Sequence, residues 1–243
     1  ECRIDLIAQA WSVLSGAGDP SRVVTAMESA REHLFREDAR LLLLLTPPFN
    51  RTQWDPGYIQ AYPPGVRENG GQYTHGAIWG VWALAKMGEG DLATNFFRWL
   101  NPVLRTSIDS EAERYRVEPY VMVADIYGEA PHVGRGGWTW YTGSGGWMYR
   151  LGLEALLGFR LKGDHIEVLP CVASSWREYE ICYRHGETTY RITVTNPDAV
   201  QCGVRRVFLD GNLLADCRIP LKDDGGDHEV RVELGGAKPS MES

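Results

Sequence analysis

Apolar residues at Ile4, Ile7, Ala8, Trp11 and Leu14 recur at helical spacing and stop at Gly16 and Gly18, which predicts a helix over 4–14. Asp19-Pro20 restarts the pattern with a capping carboxylate and a first-turn proline, and the second helix runs to about Phe35. The chain thus opens as an α-hairpin. Leu41 to Leu45 reads as a short strand or buried extended run before Pro47-Pro48. The next twenty or so residues, Arg51 to Gly71, have no period and are rich in Pro, Gly, Asn and aromatics. A loop of that length is usually functional or disordered, and its aromatic content argues against disorder. Further helices are expected over about 72–87, 91–100 and 146–157. An aromatic segment, 114–127, and a glycine-rich loop, 134–146, lie between the last two.

After Gly158 the period changes from helical to alternating. Strands are expected at 159–162, 165–169, 177–184, 188–195, 204–209 and 229–234, with Asp210-Gly211 as a hairpin turn and Tyr183 paired across strands with Tyr190. The expected fold class is therefore α+β in two domains. Residues 1–158 form the helical domain and 159–243 an antiparallel β-sandwich of jelly-roll kind. Eight of the nine tryptophans precede residue 150. Glu1 reads as mid-helix without an N-terminal cap, so the helical region is expected to be the C-terminal portion of something longer.

Composition narrows the function classes. Twenty-five basic against 32 acidic residues give a net charge of −7 with no basic stripe, which disfavours nucleic acid as a partner. The longest apolar run, Leu41–Leu45, is far too short to span a bilayer, so no direct membrane contact is expected from this segment. Five cysteines without a CxxC pair argue against a disulfide framework or zinc knuckle and for small apolar residues in a reducing, cytoplasmic compartment.

The candidate chemistry sits in two loops. In the first, Arg67, Glu68, Asn69, Tyr73 and His75 lead directly into an apolar helix. Thr74 is the expected cap, with His75 on the first turn, where free N–H groups favour an anion. In the second, Thr142-Gly143-Ser144 offers a hydroxyl and bare amides at another helix start, without the lysine of a Walker loop. Each alone is also readable as an ordinary structural histidine or a helix-capping loop. Arg67 and Glu68 are equally readable as a surface ion pair. Trp79 and Trp82, at i and i+3, are expected in the core; Trp54, Trp138 and Trp140, in loops, are candidate sugar platforms. The other five histidines have no metal-ligand spacing, so no metal is expected. Asp109, Glu111, Glu113 and Asp125 are loose carboxylates with no acid and base spacing.

The order RENGGQYTH, VEPYV, GRGGWTWYTGSGGWMYRLGLEALLG, IEVLPC and SSW resembles the glycoside phosphorylases of the cellobiose phosphorylase family (glycoside hydrolase family 94 type). Within it, the resemblance is stronger to the C-terminal part of the cyclic β-1,2-glucan synthases. It implies the C-terminal portion of an (α/α)6 barrel followed by a β domain. The implied activity is inverting phosphorolysis of a β-glucosidic bond to α-glucose 1-phosphate, with inorganic phosphate as co-substrate and no metal or organic cofactor. Phosphate is then expected on His75, Thr142 and Gly143. Sugar is expected on Arg67, Glu68 and Asn69, and also on Gln9 and Trp11, with Trp138 as a platform.

The family's Asp-Trp-Asn-Asp type motif, which carries the general acid, does not occur in this chain. The resemblance therefore implies no catalytic acid here and an inactive isolated segment. The implied partners are a β-glucan oligosaccharide, phosphate or glucose 1-phosphate, the N-terminal part of the same parent and, through the β domain, a second copy. The implied location is cytoplasmic, as the soluble part of an inner-membrane protein. Two alternatives stand beside this reading: an inverting hydrolase on the same barrel, and a non-catalytic glucan-binding or structural module.

Overall fold

A computed structural model describes residues 1–236; positions 237–243, the end of the expected β domain, lie outside the described residues. The described residues divide into two compact units, one formed by 1–87 with 95–151 and the other by 88–94 with 152–236.

The first unit opens with a two-residue strand, β1 (Ile4–Asp5), and then α1 (Leu6–Leu14). Asp5 accepts from the Ala8 amide at 3.0 Å, so the helix has its own cap and Glu1 lies outside it, contrary to the sequence expectation. Helix α2 (Pro20–Leu34) is capped by Asp19, which accepts from the Ser21 and Arg22 amides at 3.0 and 3.2 Å. Its buried stripe is Val23, Met27, Ala30 and Leu34. The apolar run then resolves into β2 (Phe35–Arg36), its antiparallel partner β3 (Leu41–Leu42), and β4 (Leu45–Thr46), which returns to pair with β1. All of Leu41–Leu45 is buried.

A 3-10 turn at Gly57–Ala61 interrupts the long loop. There follow β5 (Gln72–Tyr73), α3 (Thr74–Lys86), α4 (Gly90–Leu100), α5 (Pro102–Arg105), α6 (Asp109–Tyr115), β6 (Asp125–Ile126) and α7 (Thr142–Arg150). Helix α7 begins at Thr142 rather than near Gly146, and a π-helical stretch, Leu151–Leu156, succeeds it. Strands β5 and β6 pair antiparallel, which brings the end of the first polar loop to the segment leading into the second.

The second unit holds two sheets. Strands β7 (Phe159–Lys162), β8 (His165–Val168), β9 (Glu178–His185), β10 (Thr188–Thr195), β11 (Val204–Leu209), β12 (Asn212–Leu213), β13 (Arg218–Pro220) and β14 (Asp227–Leu234) follow in order. The larger sheet runs β12-β11-β14-β10-β9 and the smaller β13-β8-β7. Phe159, Ile166, Val168 and Ile219 from one and Tyr190, Ile192, Val194, Val207, Val230 and Val232 from the other share one core. Tyr183 stands opposite Tyr190 as expected. One pairing departs from the antiparallel expectation: β10 and β14 run parallel over 189–195 and 227–233. Alternation reports which face a strand buries, not its direction, so the pattern was blind to this. Cys171 and Cys202 are buried, whereas Cys182 is exposed and Cys2 and Cys217 half-buried, so the small-apolar reading holds for two of the five.

Candidate functional site

The first polar loop is held from within by Asn69. It is fully buried; its Oδ1 accepts from the Phe49 amide at 2.7 Å, and its Nδ2 donates to the Phe49 and Tyr62 carbonyls at 2.8 and 2.7 Å. Its amide is spent on the loop backbone, so Asn69 shapes the site instead of presenting itself to a sugar. Arg67 adopts a left-handed backbone, φ +49°, and its amide donates to Asp125 Oδ2 at 2.8 Å. Its guanidinium lies 5.4 Å from the Tyr62 ring and 5.9 Å from the Trp138 ring, with Nε 3.5 Å from Glu68 Oε2. The Arg67 and Glu68 side chains are only 20% and 15% exposed, so this is a sheltered pair and not a surface one.

The Thr74 amide donates to the Ala124 carbonyl at 2.8 Å, and α3 starts at Thr74 itself. The cap position is Tyr73, whose side chain accepts nothing from the helix, so the expected Thr74 cap is not formed. The first-turn amides after Thr74 therefore have no capping side chain. His75, on that first turn, is half-buried and walled by aromatics. Tyr73 stacks on it at 5.6 Å, Tyr141 meets it edge-on at 5.4 Å, and Trp79 lies 5.9 Å away. Burial holds its imidazole below the usual histidine range.

The second helix start arrives at the same place. A methyl group at Gly143 would lie 3.0 Å from His75 Nε2, so the bare backbone of Gly143 faces the imidazole directly. Thr142 and Gly143 are exposed, while Ser144 is buried and donates to the Val123 and Tyr141 carbonyls at 3.1 and 2.8 Å. The Tyr141 side chain does not cap α7, and its hydroxyl lies 3.1 Å from that of Tyr73. Among the described residues, the buried side-chain polar atoms without a hydrogen-bond partner are Arg67 Nε, Glu68 Oε2, Thr74 Oγ1, His75 Nδ1, Trp79 Nε1 and Thr94 Oγ1. All but the last belong to this loop and the first turns of α3. Orphans so concentrated mark a place built to receive polar groups from elsewhere.

Other expected residues are dispersed. Gln9 and Trp11 are two positions apart on α1, about 200° around the helix. Gln9 lines an open groove of about 840 Å³ with Arg3, Ser21, Arg22 and His33. Trp11 packs edge-on against Trp79 at 5.6 Å, on the His75 side of α3. Trp79 and Trp82 are half-buried and not core residues, contrary to expectation; Trp147 meets them at 5.6 and 5.8 Å, extending an aromatic band from His75. Trp54, Trp138 and Trp140 are exposed by 85%, 68% and 62%, as loop platforms require. Sequence reasoning passed over Tyr141 and set Asp125 aside. The missed clue for Asp125 was a single carboxylate inside the apolar run Val121–Ile126. No group of three or more His, Cys, Asp or Glu among the described residues is arranged to hold a metal.

Residues 1–158 match the model of the glycosyl hydrolase 94 superfamily, catalytic domain, and the chain belongs to that family. It is 53% identical over 195 residues to the cyclic beta-(1,2)-glucan synthase NdvB of Rhizobium meliloti (strain 1021), covering 80% of this chain and 7% of that protein. It is 35% identical over 236 residues to the N,N'-diacetylchitobiose phosphorylase of Vibrio proteolyticus (97% and 29%). To the solabiose phosphorylase of Paenibacillus borealis the identity is 30% over 235 residues (96% and 30%). The chain spans less than a third of the length of each of these relatives. These relatives are named as two glycoside phosphorylases and one glucan synthase.

Proposed function

We propose that this chain forms the phosphate-binding side of an inverting β-glucan phosphorylase active site, on the C-terminal portion of an (α/α)6 barrel followed by a β-sandwich, with a boundary near residue 158. Phosphate sits between the starts of α3 and α7, receiving hydrogen bonds from His75, the Thr142 hydroxyl and the Gly143 amide. It attacks the anomeric carbon from the face opposite the leaving sugar and yields α-glucose 1-phosphate. The reaction needs no metal or organic cofactor, because phosphate supplies the nucleophile and the helix starts and histidine supply its electrostatic support. Arg67, Glu68 and Trp138 contact the glucan, with Trp11 at the edge of the aromatic band. The proton donor to the leaving oxygen comes from residues outside these 243, so the segment alone is inactive. The substrate is β-1,2-glucan, and the parent is a cyclic β-1,2-glucan synthase working in the cytoplasm. No helix among the described residues is long and apolar enough to cross a bilayer.

The observation that carries this reading is the meeting of two helix starts at one half-buried imidazole. A Gly143 methyl would lie 3.0 Å from His75 Nε2, and His75 Nδ1 has no partner. Two helix starts with an imidazole between them suit a dianion better than a water awaiting a base. Incubating the full-length protein with β-1,2-glucan and inorganic phosphate is expected to release α-glucose 1-phosphate. Release of free glucose independent of phosphate would replace this reading with hydrolysis.

A further inference from the structure

A buried carboxylate beneath the site has been given no part in the chemistry so far. Asp125 is 1% exposed. Its Oδ2 accepts from the Arg67 amide at 2.8 Å. Asp125 thereby joins the two polar loops, the first through its side chain and the second through its backbone. The joint is built closely. The Gly137 amide donates to the Asp125 carbonyl at 2.8 Å, and the Ala124 amide to the Trp138 carbonyl at 2.7 Å. A methyl group at Gly137 would lie 2.1 Å from Asp125 Oδ1, so only glycine lets the second loop come this near.

A buried carboxyl whose pKa burial pushes up is a common form of general acid. Here the carboxylate is turned inward, onto the Arg67 amide and against Gly137, and a proton on Oδ2 would displace that amide. Its geometry is that of a tie. What it ties is specific: the left-handed Arg67, whose guanidinium lies over the Trp138 ring at 5.9 Å, and Trp138 itself.

We propose that Asp125 is a positioning residue that fixes Arg67 and Trp138 relative to each other and so sets how tightly the site holds the sugar, without acting on phosphate. This rests on the phosphorylase reading above. Asp125→Asn keeps the shape but removes the charge and replaces one acceptor by an N–H₂ group, set either against the Arg67 amide or into the close contact with Gly137.

In the full-length protein, Asp125→Asn is expected to raise KM for β-glucan about tenfold, since an unpaired buried amide releases one loop, and to leave KM for phosphate within about twofold. Placed on Trp138→Ala, the same change is expected to add little, because the two act as a unit. An unchanged glucan KM, or parallel rises for glucan and phosphate, would overturn the proposal. Calorimetric titration of the wild-type protein with a β-1,2-glucan oligosaccharide separates the two levels. Wild type that neither binds nor phosphorolyses glucan defeats the phosphorylase reading, whereas wild type that does both, beside an unaffected Asp125→Asn, defeats only the role of Asp125. If Asp125→Asn does not fold, amide exchange in the wild type decides. The Arg67 and Gly137 amides, both bonded to Asp125, are expected to exchange at a common slow rate and to slow together when oligosaccharide binds; unrelated rates overturn the tie.

Discussion

The β-sheets and the start of α3 treat their enclosed polar groups in opposite ways. In the β unit, Asn196 donates to the Trp176 and Val200 carbonyls and accepts from the Val200 amide, and both ring nitrogens of His228 meet carboxylates, Asp210 at 2.7 Å and Asp224 at 3.3 Å. Around the start of α3, by contrast, His75, Trp79, Thr74 and the Arg67–Glu68 pair hold polar atoms with no hydrogen-bond partner. Satisfied groups close a fold on itself; unsatisfied ones leave free energy to be recovered on binding. Asn69 shows that burial alone does not decide, since it lies inside the functional loop and yet is fully paired.

The largest effect that sharpens this contrast belongs to the β unit. Ile192→Ala, at a 1% exposed core position, is expected to cost about 2 to 5 kcal/mol of stability. It should lower Tm and leave phosphate dependence at permissive temperature unchanged; a changed KM for phosphate would break the division of labour. His75→Ala should do the converse, losing about 2 to 3 kcal/mol of transition-state binding to a charged ligand, or roughly 30- to 150-fold in kcat/KM for phosphate. Wild-type phosphate kinetics in that variant would remove His75 from the site. Gly143→Ala is subtler. The added methyl, 3.0 Å from His75 Nε2, crowds the imidazole at about 1 kcal/mol. Alanine's better helix propensity offsets this in the fold, so phosphate use should fall while Tm holds or rises.

The smallest effects are opposite pH slopes. Burial lowers the pKa of His75, so the fold favours its neutral form. Its contribution is present above the ordinary histidine value of about 6.5 and is lost as pH falls below it. The hydrogen bond that His228 donates to the Asp210 carboxylate raises its pKa, so its contribution is full below that value and is lost as pH rises through the raised one. Tm measured against pH in His75→Gln and His228→Gln should each lose one of these slopes. Added phosphate, which favours the imidazolium, should flatten only that of His75.

Much of the helical region was legible because its stops are chemical. Asp19-Pro20 announces α2, and Gly16 and Gly18 end α1. The two loops were legible as places of chemistry because Pro, Gly and aromatic residues replaced any period. Four things were not. The cap at Asp5 is hidden by an apolar residue on either side. Gln9 and Trp11 are neighbours in sequence that point apart, a matter of helix geometry that a linear motif conceals. Trp79 and Trp82 have core spacing, but they stand where α3 meets Trp147 and His75 instead of the interior. Asp125 requires knowing that Arg67, 58 positions earlier, arrives at its oxygen.

The side-by-side run of β10 with β14 carries a consequence for synthesis. At the ribosome the β9–β10 hairpin emerges early, but the middle of its sheet stays open until β14, the last strand described, has been made. Until then β10 shows an unpaired row of amides and carbonyls flanked by Tyr190, Ile192 and Val194, the kind of border to which other chains adhere. In the interval between those two strands the growing chain offers that border to its neighbours.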